Sequence, residues 1–378
     1  MDKEIKRCRI GLTRPMDPLT ALGVALAAAH FGMPLAYYAV AKRWLKTPWR
    51  VKLDPAYAPT VTVVIPTYNE ARHIEEKLED VYRQDYPRDK LEIIVVDSAS
   101  TDGTAEKARW WAAAHPDADV KVVEEPQRRG KNAALNATLA MARGEVFVIT
   151  DADCRWPQKD ALRRAVSWLA DPTVGAVTCL KKPAADGPAG VEAGYRDHYN
   201  VLRLAESKKW ATPIFHGELA AYKTELLRKI GGFPLDTGAD DSYTATQIAL
   251  TGYRALAAED LWCVEAVPRS DYHRWRIRRA KFVIQHFLKT PASKAPPPMR
   301  PILLAEKYIH LANPWLLPAA AVALAAAATP HALVLLAAGA AALALKPYRT
   351  WVAAQLYLMV AAVGNLRDKE LVWEKQDK

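Results

Sequence analysis

The run Gly144-Glu-Val-Phe-Val-Ile-Thr-Asp-Ala-Asp153 decides the fold. Val146 to Ile149 is a short, unbroken apolar stretch of β-favouring residues, the pattern of a strand buried on both faces of a parallel sheet. It ends in two carboxylates one residue apart, Asp151 and Asp153. Side chains two positions apart on a strand point the same way. Both carboxylates are therefore aimed into the crevice beyond the strand ends, where open α/β sheets bind ligands. Paired hard oxygens suit Mg²⁺ or Mn²⁺, which keeps further positions for phosphate oxygens and water. A polar turn closing a strand would carry the same two residues, so the choice rests on the rest of the chain.

Working outward, the same pattern repeats. Val61 to Ile65 reads as a buried strand, followed by Pro66-Thr-Tyr-Asn-Glu70 and a helix with the apolar stripe Ile74, Leu78, Val81 and Tyr82. Leu91 to Val96 reads as another, ending in Asp97-Ser-Ala-Ser-Thr-Asp102-Gly-Thr104, with a helix from there to about Ala114. A short strand over Val120 to Val123 leads to Gly130-Lys131-Asn-Ala-Ala-Leu-Asn136, which opens a helix. Downstream come a helix over Ala161 to Leu169 and a strand over Val174 to Leu180. A Gly- and Pro-rich loop over 183–200 leads to a helix from Val201 to Trp210. Lys223 to Ile230 reads as a short helix closed by Gly231-Gly232, and Asp240-Asp241 heads a helix to Leu250. Strands alternating with helices of this length predict an α/β fold with a mostly parallel, Rossmann-like sheet.

The 378 residues are 51% hydrophobic and 25% charged, which excludes a disordered chain and allows more than one compact unit. Four scattered cysteines, with no C-x-x-C pair, indicate neither a disulfide framework nor a zinc knuckle. The net charge of +10 points to an anionic partner. Nucleic acid is not favoured, because the soluble part lacks a basic stripe with interleaved aromatics. The basic residues gather instead beside the apolar ends, where anionic headgroups would lie.

Those ends look like membrane segments. A basic tail precedes an apolar stretch at about 19–41, long enough to cross a bilayer. Lys42, Arg43, Trp44, Lys46, Trp49 and Arg50 form an interfacial belt after it. Three further apolar stretches, about 315–328, 331–345 and 351–366, have the Ala and Gly content that lets helices pack closely in lipid. The expected layout is a tail and helix over 1–52, a catalytic domain over 53–268, amphipathic interfacial helices and a Pro-rich hinge over 269–312, and C-terminal spans over 313–378. Lys346 and Arg349 in one link, against none in Thr329-Pro330, place the catalytic domain in the cytoplasm of a multi-pass protein.

Four motifs in order, Val63-Val-Ile-Pro-Thr-Tyr-Asn-Glu70, Val95-Val-Asp97-Ser-x-Ser-x-Asp102-Gly-Thr, Gly130-Lys-x-x-Ala-Leu-Asn136 and Asp151-x-Asp153, resemble glycosyltransferase family 2 with its GT-A fold. Gly231-Gly-Phe233, Asp240-Asp241, Gly252-Tyr-Arg254 and Arg274-Trp275 extend the likeness over roughly residues 60–290, towards membrane-bound inverting members such as cellulose and hyaluronan synthases and polyprenyl-phosphate glycosyltransferases. The resemblance implies a UDP- or GDP-sugar donor, and it points Asp97 at the base. Pro66, Tyr68 and Glu70 would shape the nucleoside pocket. Lys131, at a helix N-terminus, suits a phosphate. Asp151 and Asp153 would hold the metal, and Arg274 and Trp275 would supply a diphosphate contact and a sugar platform. Asp241 is the expected general base, and His216-Gly217-Glu218 the acceptor wall. Asp271 stands where the family's signature has glutamine, which leaves processive and single additions both open.

The expected function is metal-dependent, inverting sugar transfer to a hydroxyl of a lipid-linked glycan, glycolipid or polysaccharide, among membrane lipids and without nucleic acid. A polyprenyl-phosphate acceptor is the alternative. A catalytically silent membrane scaffold is the non-enzyme alternative.

Overall fold

The computed structural model describes residues 16–188, 190–370 and 372. The first fifteen residues of the expected basic tail, Cys8 among them, lie outside the described residues. Helix α1 (Pro18–Trp44) opens on Asp17, whose carboxylate accepts the Thr20 amide at 2.9 Å, with Pro18 at the first helical position. Then β1 (Val61–Thr67), α2 (Ile74–Tyr82), β2 (Leu91–Asp97), α3 (Thr104–Ala114), β3 (Asp119–Glu124), α4 (Lys131–Met141) and β4 (Val146–Ile149) follow in strict alternation. The chain continues through α5 (Ala161–Leu169), β5 (Val174–Pro183), α6 (Glu192–Lys209), β6 (Ala220–Lys223), α7 (Thr224–Lys229), α8 (Asp240–Leu250) and β7 (Arg254–Glu265). It ends in α9 (Tyr272–Lys289), α10 (Arg300–Lys307), α11 (Asn313–Ala327), α12 (Pro330–Ala342) and α13 (Lys346–Asn365).

The seven strands form one sheet in the order β3-β2-β1-β4-β6-β5-β7. All pairings are parallel except those of β6, which runs antiparallel to β4 and β5. Strand alternation sorts the core into two layers. Val61, Val63 and Ile65 face α2, α3 and α5, while Val64, Phe147 and Ile149 face α4, α8 and α9. Because β1, β2 and β4 run in register, Pro66–Glu70, Ser98 and Asp151 leave the sheet at one edge.

Three expectations change. The 183–200 loop is helical from Glu192, because that side chain, fully buried, is held by Arg276 at 2.9 Å and by the Tyr272 hydroxyl at 2.5 Å. These partners lie some 80 residues away in sequence, and local composition carries no trace of them. Residues 254–265 form a twelve-residue strand beside β5, which sequence patterning did not separate from the preceding motif. The amphipathic helix, α9, turns Arg276 and Arg278 inward to buried positions rather than outward to a headgroup layer.

The apolar ends also regroup. Helices α10 and α11 run on through a π-turn (Tyr308–Ala312), giving one 28-residue helix from Arg300 to Ala327. That helix and α1 are long and apolar enough to cross a membrane. Helices α12 and α13 pass that test only together and meet at a 98° bend. Leu22, Leu35, Val322, Val334 and Val360 expose their side chains around the bundle. Gly23 lets α1 lie directly on α11, since a Cβ there would fall 2.6 Å from Leu324 Cγ.

Gly144 tests the sheet. A Cβ at that position would lie 2.3 Å from the Thr62 amide nitrogen and 2.7 Å from the Val61 carbonyl carbon. Gly144→Ala is expected to lower stability by about 1–3 kcal/mol by forcing β1 and β4 apart. A thermal shift in detergent reads this directly, and an unchanged melting temperature contradicts it.

Candidate active site

The strand ends open into a cavity of ≈ 320 Å³ between the sheet, α8, α9 and the C-terminal helices. At one end its wall is Pro66, Tyr68, Glu70, Ser98 and Arg128, with the Arg128 guanidinium 3.6 Å from the centre of the Tyr68 ring. Asp97 is not on that wall. It is 1% exposed, and its oxygens accept from the Thr67 hydroxyl at 3.0 Å and from the Ser100 amide and hydroxyl at 2.9 and 2.6 Å. The motif that Asp97 opens laces two loops together. The Asn69 amide donates to Ser100 Oγ at 2.8 Å, the Glu70 amide to Thr104 Oγ1 at 2.8 Å, and the Ala71 amide to Asp102 Oδ2 at 3.0 Å.

The centre is a cluster of charge. Lys131, the first residue of α4, pairs with Asp151 and with Asp240, each at 2.8 Å. Burial opposes its ammonium, but these two carboxylates outweigh that and hold its pKa well above the ordinary lysine value. Asp151, Asp153, Asp240 and Asp241 all face the cavity. Gly217 sits in their midst. A Cβ on it would lie 3.3 Å from Lys131 Nζ, 3.5 Å from Asp151 Oδ2 and 3.6 Å from Asp241 Oδ2. Its loop is pinned by the Ser242 side chain, which accepts the Phe215 amide at 3.0 Å, and by Thr178, whose oxygen accepts the His216 amide at 3.1 Å. Burial, then the neighbouring Asp240, push the Asp241 carboxyl up to about 7, against Lys131 and the Ser242 amide. Burial and the cations Lys181, Arg279 and Arg196 drive His216 well below its usual value, so it is neutral.

Opposite stands an arginine face. Trp275 is 1% exposed and lines the cavity, its ring 5.0 Å from the Arg279 guanidinium. Arg274 is exposed and lies off the cavity; Arg276, Arg278 and Arg279 line it instead. The signal for this was available, because residues three and four beyond Trp275 share its helical face and the residue before it does not. Burial and Arg279 pull the Arg278 guanidinium down to about 10, against Glu370, Asp153 and Asp151. Sequence patterning also missed Lys181, Arg196 and Glu265. Lys181 pairs with Glu218 at 3.1 Å and with Glu265 at 3.0 Å, and Arg196 reaches Glu265 at 2.5 Å. No short motif links them, since they meet only across β5, α6 and β7.

Asp151 and Asp153 supply two carboxylates at the end of β4. Among the described residues no group of three His, Cys, Asp or Glu side chains has metal-ligand geometry. A divalent ion held by this pair would complete its shell from substrate oxygens, as a diphosphate site requires.

A sheet open at its carboxyl edge, with paired carboxylates, an ammonium and facing arginines around one cavity, is the architecture of a GT-A nucleotide-sugar transferase. The chain belongs to glycosyltransferase family 2. The profile of "Glycosyl transferase family 2" matches residues 62–231. Glycosyltransferase AglE of Haloferax volcanii is 31% identical over 231 residues, 60% of this chain and 74% of that protein. The UDP-forming cellulose synthase catalytic subunit of Pseudomonas fluorescens is 26% identical over 74% of this chain, which spans 38% of that longer protein. A solved structure, the mannosyltransferase PcManGT from Pyrobaculum calidifontis in complex with GDP-Man and Mn²⁺, is 61% identical with a TM-score of 0.86. The match covers 93% of this chain and all of that one.

The raised Asp241 carboxyl has a consequence for stability. The folded state keeps a proton that the unfolded chain releases, so stability falls as pH rises from about 4 towards 7. In metal-free protein, Asp241→Asn is expected to melt above the parent at pH 8 and to match it at pH 4. Melting curves across that range check it, and a constant offset at every pH contradicts it.

Proposed function

We propose that this enzyme is a membrane-anchored, inverting mannosyltransferase that uses GDP-mannose, a divalent cation and a hydroxyl acceptor on a lipid. The observation that carries the reading is the cluster around Gly217, where an ammonium, a strand-end carboxylate and the Asp241 carboxylate converge on one point of the cavity. The acceptor oxygen attacks the anomeric carbon, the bond from that carbon to the diphosphate breaks, and the hydroxyl proton passes to Asp241. One displacement with one base inverts the anomeric centre. A pKa near 7 leaves Asp241 ionised often enough to accept a proton and basic enough to hold it.

The donor is drawn as GDP-mannose from the 61% identical mannosyltransferase seen with GDP-Man. Pro66, Tyr68 and Glu70 border the nucleoside, with Ser98 on the wall in front of Asp97. Lys131 and Arg278 face the diphosphate, and the Trp275 ring backs the sugar. Asp151 and Asp153 would hold Mg²⁺ or Mn²⁺, which would offset charge on the departing diphosphate. A phosphate acceptor arrives already ionised and has little need of a base, so Asp241 favours the hydroxyl. The exposed apolar side chains of α1 and of the helix through α10 and α11 support insertion in a membrane. Lys346 and Arg349, at the bend between α12 and α13, support a cytoplasmic catalytic domain.

Purified full-length protein in detergent, given a panel of nucleotide sugars and a membrane-lipid extract, tests the reading. GDP-mannose is expected to label lipid only with Mn²⁺ or Mg²⁺ present. EDTA should abolish labelling and Mn²⁺ restore it, whereas turnover unaffected by EDTA removes the metal role. Asp241→Asn should lower transfer by about 10²- to 10⁴-fold with GDP-mannose affinity retained. Full activity in that variant removes Asp241 as the base.

A further inference from the structure

The nucleoside end of the cavity holds a cation that the reaction does not use. Arg128, four residues past the end of β3, lines the cavity beside Tyr68 and Ser98. Its guanidinium lies 3.6 Å from the centre of the Tyr68 ring. At that distance the planar group lies face-on, because an edge-on fork would drive a nitrogen into the ring. Stacking occupies a face of the cation and leaves the N–H donors around its rim. Among the described residues, none of these donors meets a carboxylate or a carbonyl oxygen. The next residue differs: Arg129 is spent on Glu125 at 2.8 Å.

Ser98 has the opposite character. It is 7% exposed, and its hydroxyl donates to Glu125 Oε2. Glu125 is buried as well, and its other oxygen accepts from Arg129. With its proton committed, the Ser98 oxygen can only accept from the cavity. The backbone holds it there, since the Ser98 amide donates to the Thr67 carbonyl at 2.9 Å and the Glu125 amide to the Asp97 carbonyl at 2.8 Å. The wall therefore offers a fixed acceptor and a fork of donors beside an aromatic shelf. Uracil can give its N3–H to the acceptor, but a C–H stands next to its O4, so the fork meets a single oxygen. Guanine gives N1–H or its 2-amino group to the acceptor and presents O6 and N7 together to the fork.

We propose that Arg128 selects the base of the donor, donating to O6 and N7 of guanine while Ser98 accepts from an N–H of the same base. Arg128 is a specificity-determining residue on this account, and a bidentate contact of that kind separates bases by about tenfold or more. The proposal rests on the GDP-sugar reading of the donor and names the group that distinguishes guanine from uracil.

Calorimetry on full-length protein in detergent with Mn²⁺ tests it, using GDP, UDP and 7-deaza-GDP, in which a C–H replaces N7. Wild type is expected to bind GDP about tenfold more tightly than 7-deaza-GDP, and to bind UDP more weakly than GDP. Arg128→Ala, and Arg128→Met, which keeps an unbranched stem against Tyr68, should both bring the ratio of GDP to 7-deaza-GDP affinity to about one. Retained binding of 7-deaza-GDP reports that each variant is folded. A ratio that survives both substitutions overturns the base contact, and so does a wild type that binds GDP and 7-deaza-GDP equally. Affinities for all three nucleotides that fall by one common factor overturn it as well, and put Arg128 on the diphosphate. In each of these cases the GDP-sugar donor stands. A wild type that binds UDP and not GDP overturns the donor reading and the role of Arg128 together.

Discussion

The centre of this enzyme is held by one ion pair shared three ways: Lys131 between Asp151 and Asp240. Each carboxylate comes from a different element, the end of β4 and the start of α8, and the ammonium heads α4. Four aspartates face the cavity around this one ammonium, with Arg278 and Arg279 on the opposite wall. Burial, then the neighbouring Asp240, raises the Asp241 carboxyl to about 7. The cluster also crowds Gly217, where a Cβ would lie 3.3 Å from Lys131 Nζ. Buried charge of this kind is a poor source of stability. Here it gathers opposite charges from three separate elements around one cavity.

A second buried network ties the catalytic domain to the helices around it. Arg203 of α6 pairs with Glu306 of α10 at 2.7 Å and with Glu206 at 3.2 Å, and the Tyr37 hydroxyl of α1 donates to Glu206 at 2.6 Å. Arg203 and Glu206 of α6 together thus tie the sheet domain to both long apolar helices. Beside it, Glu265 at the end of β7 gathers Lys181, Arg196 and Arg279. These contacts fix α9 against the cavity, so the arginines of a helix that looks made for a lipid surface line the cavity instead. Removing one partner would leave the others desolvated, which makes the arrangement rigid.

Much of this was legible beforehand, and the reasons are local. Val61 to Ile65, Leu91 to Val96 and Val146 to Ile149 are unbroken β-branched or apolar runs, a signal that a doubly buried strand cannot avoid giving. Asp151 and Asp153 follow the end of β4, and Lys131 and Asp241 head α4 and α8, so topology aims them at one crevice. The misplacements share a different cause. Asp97 was expected at the base, yet its short side chain is consumed by Thr67 and Ser100, and Ser98 takes its place on the wall. Arg274 belongs to a motif, but helical rotation gives its place in the cavity to Arg278. Glu192 begins a helix inside a Gly- and Pro-rich stretch because distant Arg276 and Tyr272 satisfy it.

The sequence by itself determined the alternating sheet, the family, the carboxylate centre and the apolar character of both ends. Each of these is written in periodicity or in motifs spanning a few residues. Only the tertiary structure decided which arginines face the cavity, and how three apolar stretches became one long helix and a bent pair. Those outcomes depend on residues 80 to 300 positions apart meeting in a desolvated interior. There the partner of a charge, not its neighbour in the chain, sets its orientation and its chemistry.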